Sequence, residues 1–201
     1  LLLTTGIYGL LHQIPRREIG NSFYRLITLL FLIGMTLVLV SFPPDGTIEF
    51  LQYGLVLAAL VTGFLHRYAL ATNRSGLRSF SYWSGVLLTV VLVGTISMLE
   101  PLPSLMESIT SPTVNFVHLL TTAAIMGAIV DAMICGHWYL VNPDLSLTPI
   151  RSISRALTAV ILLKIALVAW SLYQTASTDP YLYQRVVFLM PILFWVRVLV
   201  G

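Results

Sequence analysis

Charged residues are scarce in this sequence. Lysine and arginine together number 11 and aspartate and glutamate 8 in 201 residues, which is 9% of the chain, whereas soluble proteins have about 25%. Apolar residues make up 57%, and the mean hydropathy is +0.90. So few charges exclude an ordinary soluble domain, and the composition predicts an integral membrane protein.

Cysteine and the common catalytic motifs are also nearly absent. The single cysteine, Cys135, excludes a disulfide within the chain. The sequence has no CxxC, HExxH or GxSxG pattern and no glycine-rich phosphate loop. Nothing in the sequence demands enzymatic chemistry, so a non-catalytic role is favoured while an enzyme stays open.

Long apolar runs are what the sequence does contain. Five of them approach or exceed the roughly 20 residues that cross a bilayer core, at 22–42, 50–71, 82–100, 114–141 and 153–175. A first piece at 1–13 is too short to span, and a seventh segment begins near Tyr181 and is still apolar at Gly201. We therefore expect an all-α polytopic bundle of about seven segments, forming a single integral membrane domain over 1–201 and cut at both ends.

Basic residues indicate the orientation of this bundle. They mark every second connection, at Arg16, Arg17 and Arg25, then at Arg67, Arg74 and Arg78, then at Arg151 and Arg155, with only Arg185 on the other side. Short arginine-rich loops stay cytoplasmic, so these loops are predicted on that side of a bacterial inner membrane. The net charge of +3 reflects this bias and not a nucleic-acid surface, and the expected partners are the lipid bilayer and, as an option, other membrane subunits.

A short pattern recurs at the cytoplasmic ends of the predicted helices. The two clear copies are GFLHRYAL followed by LRSFS at 77–81, and GHWYLV followed by IRSIS at 150–154. A weaker third copy, GLLHQ followed by NSFYR, contains His12. The pattern predicts repeated two-helix hairpins and eight helices in the full-length parent, although short matches in apolar sequence also arise by chance.

Two ionisable residues lie inside the predicted spans. Asp131 is ten residues before the expected cytoplasmic end at Val141, and Lys164, the sole lysine, is eleven after the expected start at Ile153. Both would lie about 15 Å from the boundary, so we predict a buried ion pair between them. The alternatives are a working proton or solute site and no contact at all. Asp131 also lies beside a predicted packing lane of small residues, formed by Ala124, Ala128, Ala132 and Gly136.

Histidines are the other candidate ligands. His12, His66 and His137 occupy matching positions at predicted cytoplasmic helix ends, where imidazoles from neighbouring hairpins would converge on a b-type haem or a metal. The alternative is that each histidine is an interfacial anchor beside tyrosine or tryptophan.

The stretch GHWYLVNPDLS at 136–146 resembles an element of an uncharacterised group of bacterial multi-spanning membrane proteins, roughly GHWYLV-x-P-x-L. The resemblance covers about eleven residues and implies a bacterial inner-membrane setting, but it implies no activity and no functional residue.

Three functional classes follow from these residues. The first is a non-catalytic membrane scaffold, subunit or small-solute handling protein with a buried Asp131–Lys164 pair. The second is a redox subunit that binds b-type haem or a quinone through His66 and His137. The third is a proton-coupled transporter that uses Asp131 as its proton carrier.

Overall fold

The computed structural model describes residues 1–11, 19–41, 47–99, 112–142 and 145–178, with 180 and 184. These residues form six α-helices and no strand: α1 Leu2–Leu10, α2 Asn21–Ser41, α3 Thr47–Ala71, α4 Ser75–Leu99, α5 Pro112–Val141 and α6 Thr148–Thr178. The prediction of an all-α fold is confirmed for this part of the chain. The predicted seventh segment from Tyr181 lies, apart from residue 184, outside it.

Five of these helices, α2 to α6, are long and apolar enough to cross a membrane. Each exceeds the roughly 20 residues that a bilayer core requires, and helical geometry satisfies the backbone hydrogen bonds that lipid cannot. The described helices are therefore those of a multi-pass membrane protein. Helix α1 has nine residues and is too short to span by itself.

Two helices begin more than one turn earlier than the predicted spans. Helix α4 starts at Ser75, not 82, and helix α6 starts at Thr148, not 153. The motifs LRSFS and IRSIS are predicted to open these helices, and both lie in their first turns, ahead of the apolar runs. Arginine side chains can extend to water from a helix end. Each motif starts two residues after its helix begins. This matching register fits the hairpin repeat, which stays a prediction.

Helix α1 lies at the centre of the packing, between α2, α4 and α5. The Tyr8 ring stacks on Phe31 of α2 with a centroid distance of 4.3 Å. The Tyr82 hydroxyl of α4 donates to the carbonyl oxygen of Gly9 over 2.9 Å. Because Tyr8 is fully buried, these contacts make α1 a core element despite its length.

Helices α1 and α5 approach each other at the level of their backbones. A Cβ atom placed on Gly6 would overlap the carbonyl oxygen of Ala123, and one placed on Gly127 would overlap the backbone of Gly6. Small residues allow such close helix contacts in membranes. The predicted packing lane was one residue out of register, since the contact uses Ala123 and Gly127, while a Cβ on Gly136 would meet nothing within 4 Å.

Contacts between the helix ends also give the helix directions. Tyr82 near the start of α4 contacts Gly9 near the end of α1, so these two helices are antiparallel. Gly94 near the end of α4 lies beside Phe116 near the start of α5, so this pair is antiparallel as well. Helices α1 and α5 are therefore parallel.

Arginines gather at one end of the bundle. Arg67 Nη1 donates to the carbonyl oxygen of Arg25 over 3.1 Å, which places the end of α3 beside the start of α2. The starts of α4 and α6, with Arg78 and Arg151, follow the ends of α3 and α5 after short connections. We refer to this as the Arg-bearing end.

The glycine contact between α1 and α5 gives a stability prediction. Gly127→Ala should destabilise the protein by about 2 kcal/mol or more, because the new methyl group displaces α1 from a packed interface. Gly136→Ala is the matched control on the same helix, and it should be neutral or stabilise by up to about 1 kcal/mol through helix propensity.

The measurement is unfolding of both variants in detergent micelles, followed by circular dichroism. Equal effects of the two substitutions would show that α1 and α5 do not meet at this glycine.

Candidate functional site

Asp131 lies on the side of α5 that faces α1. Ala123, Gly127, Asp131 and Cys135 follow one another at four-residue spacing, which places them along one side of the helix. Ala123 and Gly127 make the backbone contact with α1, and all four residues are buried. Asp131 is therefore one turn beyond the closest approach of the two helices.

The carboxyl group of Asp131 is buried, and no hydrogen bond from the described residues offsets the cost of burying it. Its exposed fraction is 0%, and neither carboxyl oxygen has a hydrogen-bond partner among the residues that the structure describes. Burying a polar group without a partner costs several kcal/mol, and burying a charge costs more. Such a residue inside a membrane span is a functional candidate by default.

Lys164 on α6 makes its contacts elsewhere on α5. Its Nζ donates to the carbonyl oxygen of His118 and to the Thr122 hydroxyl oxygen, each over 2.9 Å. The same Nζ lies 3.1 Å from the His118 Nδ1. Three acceptors match the three protons of an ammonium group.

The predicted ion pair between Asp131 and Lys164 is therefore not formed in the structure. Thr122 and Asp131 are nine residues apart, about two and a half turns, so they lie on opposite sides of α5 and about 13 Å apart along its axis. In addition, α6 begins five residues before the predicted start at Ile153, which moves Lys164 about 7 Å further from the Arg-bearing end. The Lys164 side chain extends still further from the Arg-bearing end to reach His118.

His118 and Ser171 join Lys164 in this cluster, and the sequence analysis predicted neither contact. The His118 Nε2 lies 3.0 Å from the Ser171 hydroxyl oxygen. Ser171 follows Lys164 by seven residues, or about two turns, so the two share a face of α6. That spacing of two polar residues in an apolar helix was the available signal.

The three candidate haem ligands do not share one environment. His66 is buried, and its Nδ1 lies 3.2 Å from the carbonyl oxygen of Arg78 and 3.4 Å from the Ser81 hydroxyl oxygen. His137 is exposed on α5, and His12 lies outside the described residues. Within the described ranges, no group of three or more His, Cys, Asp or Glu side chains is placed to hold a metal ion.

Aromatic rings surround His66. Its ring centroid lies 5.7 Å from that of Tyr8 and 5.9 Å from that of Tyr82. Because a carbonyl oxygen only accepts, the contact with Arg78 requires that Nδ1 carries the imidazole hydrogen. This hydrogen bond joins the end of α3 to the start of α4, beside α1.

No protein-family model, curated protein or solved structure matches this chain. Function has to be inferred from the chemistry of its own residues.

The contacts of Lys164 predict which substitutions have coupled effects on the free energy of unfolding. In a double-mutant cycle, Asp131→Asn and Lys164→Met should act additively on the free energy of unfolding, within about 0.5 kcal/mol, because the residues share no contact. Lys164→Met and His118→Ala should instead be coupled by about 1 kcal/mol or more, because each removes the hydrogen bond between Lys164 Nζ and His118 Nδ1.

Unfolding of the single and double variants in mixed micelles measures both cycles. A coupling between Asp131 and Lys164 larger than that between Lys164 and His118 would contradict the arrangement described above.

Proposed function

We propose that this multi-pass membrane protein carries protons, alone or together with a small solute, and that Asp131 is the group that binds and releases the proton. The observation that carries the proposal is the enclosed Asp131 carboxyl without a partner among the described residues. A carboxyl group in an apolar medium favours its neutral form. Binding a proton therefore relieves the cost of burial, and releasing it requires that the surroundings change.

The contacts of Lys164 support this assignment indirectly. A lysine bonded to Asp131 would have given the carboxylate a structural purpose, as in many buried ion pairs. Lys164 is instead satisfied by His118 and Thr122. The described contacts thus leave Asp131 with a cost to folding and no structural gain, which is typical of a residue kept for function.

The depth of Asp131 also suits a proton carrier. It lies ten residues before Val141, where α5 ends at the Arg-bearing end, so its Cα is about 15 Å from that end of the helix. A proton bound there is roughly half-way across a hydrocarbon core of about 30 Å. The adjacent contact between Gly6 and Gly127 has no side chains to separate the helices, so a small shift of α1 would change the surroundings of the carboxyl group.

The scaffold function has lost its main support, because it depended on the Asp131–Lys164 pair. The redox function has one favourable observation, which is that the His66 Nδ1 is bonded to a backbone carbonyl, as in many ligating histidines. His137, its expected partner ligand, is exposed. Proton handling therefore has the better support.

The setting of the protein is part of the same proposal. The arginine bias of alternate connections favours a bacterial inner membrane with the Arg-bearing end in the cytoplasm. The resemblance of residues 136–146 to a group of bacterial membrane proteins favours the same setting. Neither supports a particular solute.

Chemical labelling tests whether Asp131 takes up a proton. Dicyclohexylcarbodiimide is apolar and reacts with protonated carboxyl groups, so it should modify Asp131 in membranes and do so faster as the pH falls. Mass spectrometry of the α5 peptide measures the label. Asp131→Asn should lose the label, and Met133→Leu, at an exposed position of the same helix, should keep it. A wild-type protein whose α5 peptide stays unlabelled at every pH would sink the proposal.

Proton flux tests whether that proton moves. In liposomes containing the purified protein and a pH-sensitive dye, a pH gradient should collapse faster with wild-type protein than with Asp131→Asn, by roughly tenfold or more if one carboxyl carries the proton. Asp131→Glu should retain part of the flux. If solute coupling is obligatory, the gradient collapses only after the solute is added, so a screen of small solutes accompanies the assay. Equal flux in wild type and Asp131→Asn under all these conditions would contradict a carrier role.

An absorption spectrum separates the redox alternative from proton handling. We expect no Soret band in the purified full-length protein, because His137 is exposed and His66 is already held among Tyr8, Tyr82 and Arg78. A Soret band that His66→Ala abolishes would favour the redox function.

A further inference from the structure

The contact between α5 and α6 is unlike the others in the bundle. No residue in the most apolar stretch of α6 is buried, whereas a third or more of the corresponding stretch is buried in each of the other four spans. The buried residues of α6, Pro149, Ile153 and Thr175, lie near its two ends. Between them, the polar side chains of Lys164 and Ser171 reach α5.

Polar contacts matter more than usual for this helix. The apolar surface of α6 gains little by leaving lipid for protein, because lipid tails are as apolar as leucine, and hydrogen bonds between helices then contribute much of the specificity. We call the four residues His118, Thr122, Lys164 and Ser171 the α6 clasp. They form hydrogen bonds between the middle of α6 and α5.

The hydrogen bonds of the clasp indicate which of its atoms carry protons. The carbonyl oxygen of His118 only accepts, and the Thr122 hydroxyl already donates to it over 2.8 Å, so Lys164 must donate to both groups. Lys164 in its usual ammonium form has a third proton, which it donates to His118 Nδ1, 3.1 Å away. His118 Nε2 then carries its own hydrogen and donates to Ser171. The intact clasp therefore holds one positive charge.

We propose that the α6 clasp is a proton-sensitive latch, which holds α6 against α5 while it carries one positive charge and releases it when His118 binds a second proton. The second proton would occupy Nδ1, the atom that otherwise accepts from Lys164. Two donors bearing like charges would then face each other across 3.1 Å, and the hydrogen bond that joined them would become a repulsion. Separation of the two helices removes it.

Other charged groups offer little compensation within the described residues. On α6, Lys164 contacts His118. The other titratable side chains of the described elements packed against α5 are Arg151, Arg155 and Tyr173 of α6, Arg78 and Tyr82 of α4, and Tyr8 of α1. The arginines lie toward the Arg-bearing end, away from His118. None of these is a carboxylate. Asp131 lies on the other side of α5, about two and a half turns beyond Thr122.

The latch does not rest on the proposed proton transport. It uses a different side of α5 and would act in a protein that transports nothing. Failure of the Asp131 experiments leaves it intact, and its own test uses helix distance as the readout.

Spin-label distances test the latch directly. Labels at Met126→Cys on α5 and Leu162→Cys on α6 use exposed positions, in a Cys135→Ser background of the full chain in lipid nanodiscs. Electron double resonance should give one narrow distance at about pH 8, and a broad, longer distribution should replace it at about pH 5, the range over which histidine titrates.

Two variants identify the group responsible. His118→Gln keeps a side-chain oxygen that accepts from Lys164 and cannot bind a proton, so its distance should stay narrow at both pH values. Lys164→Met removes the like charge, so its distance distribution should not change with pH. Hydrogen exchange along α6 in the unlabelled wild-type protein provides the same readout without substitutions. After correction for the pH dependence of the intrinsic exchange rate, the protection of the α6 amides should be lower at the lower pH.

Two results would overturn the latch. The first is a wild-type protein whose distance distribution and hydrogen-exchange protection along α6 are the same at both pH values. The second is a pH response that persists unchanged in His118→Gln.

Discussion

The backbone contact between Gly6 of α1 and Gly127 of α5 is the constraint on which the rest of the structure depends. Because neither residue has a side chain, the two helices come together at the distance of their main-chain atoms. This contact holds a nine-residue helix in the centre of the bundle. The position of α1 in turn places Tyr8 against α2, α3 and α4 and encloses Asp131 one turn along α5.

Helix α5 has two chemically distinct sides as a result. The side toward α1 carries small residues followed by a carboxyl group that is buried without a partner among the described residues. The side toward α6 carries His118 and Thr122, whose polar atoms are all engaged with Lys164 and Ser171. In a medium that supplies no water, the satisfied side can hold a neighbouring helix, while the unsatisfied side is suited to take up a proton.

Burial separates the histidines in the same way. His66 is enclosed because α1 packs over the end of α3, and its imidazole becomes part of an aromatic cluster with Tyr8 and Tyr82. His137 has a similar position in the sequence pattern, but it lies on the exposed side of α5. Two histidines in similar sequence contexts therefore acquire different surroundings, because α1 packs over only one of them.

Composition and the positions of the apolar runs determined the helical class and the five long spans, because lipid permits few backbone structures. They also made Asp131 and Lys164 the candidate residues, because each buried charge is costly. Only the tertiary structure decided which residues meet. Helix α6 begins at Thr148, ahead of its apolar run, which shifts Lys164 away from the Arg-bearing end. Lys164 also contacts the side of α5 that carries His118 and Thr122, opposite to Asp131. Neither effect can be seen in a one-dimensional count of depth, because partner choice depends on rotation and offset between helices.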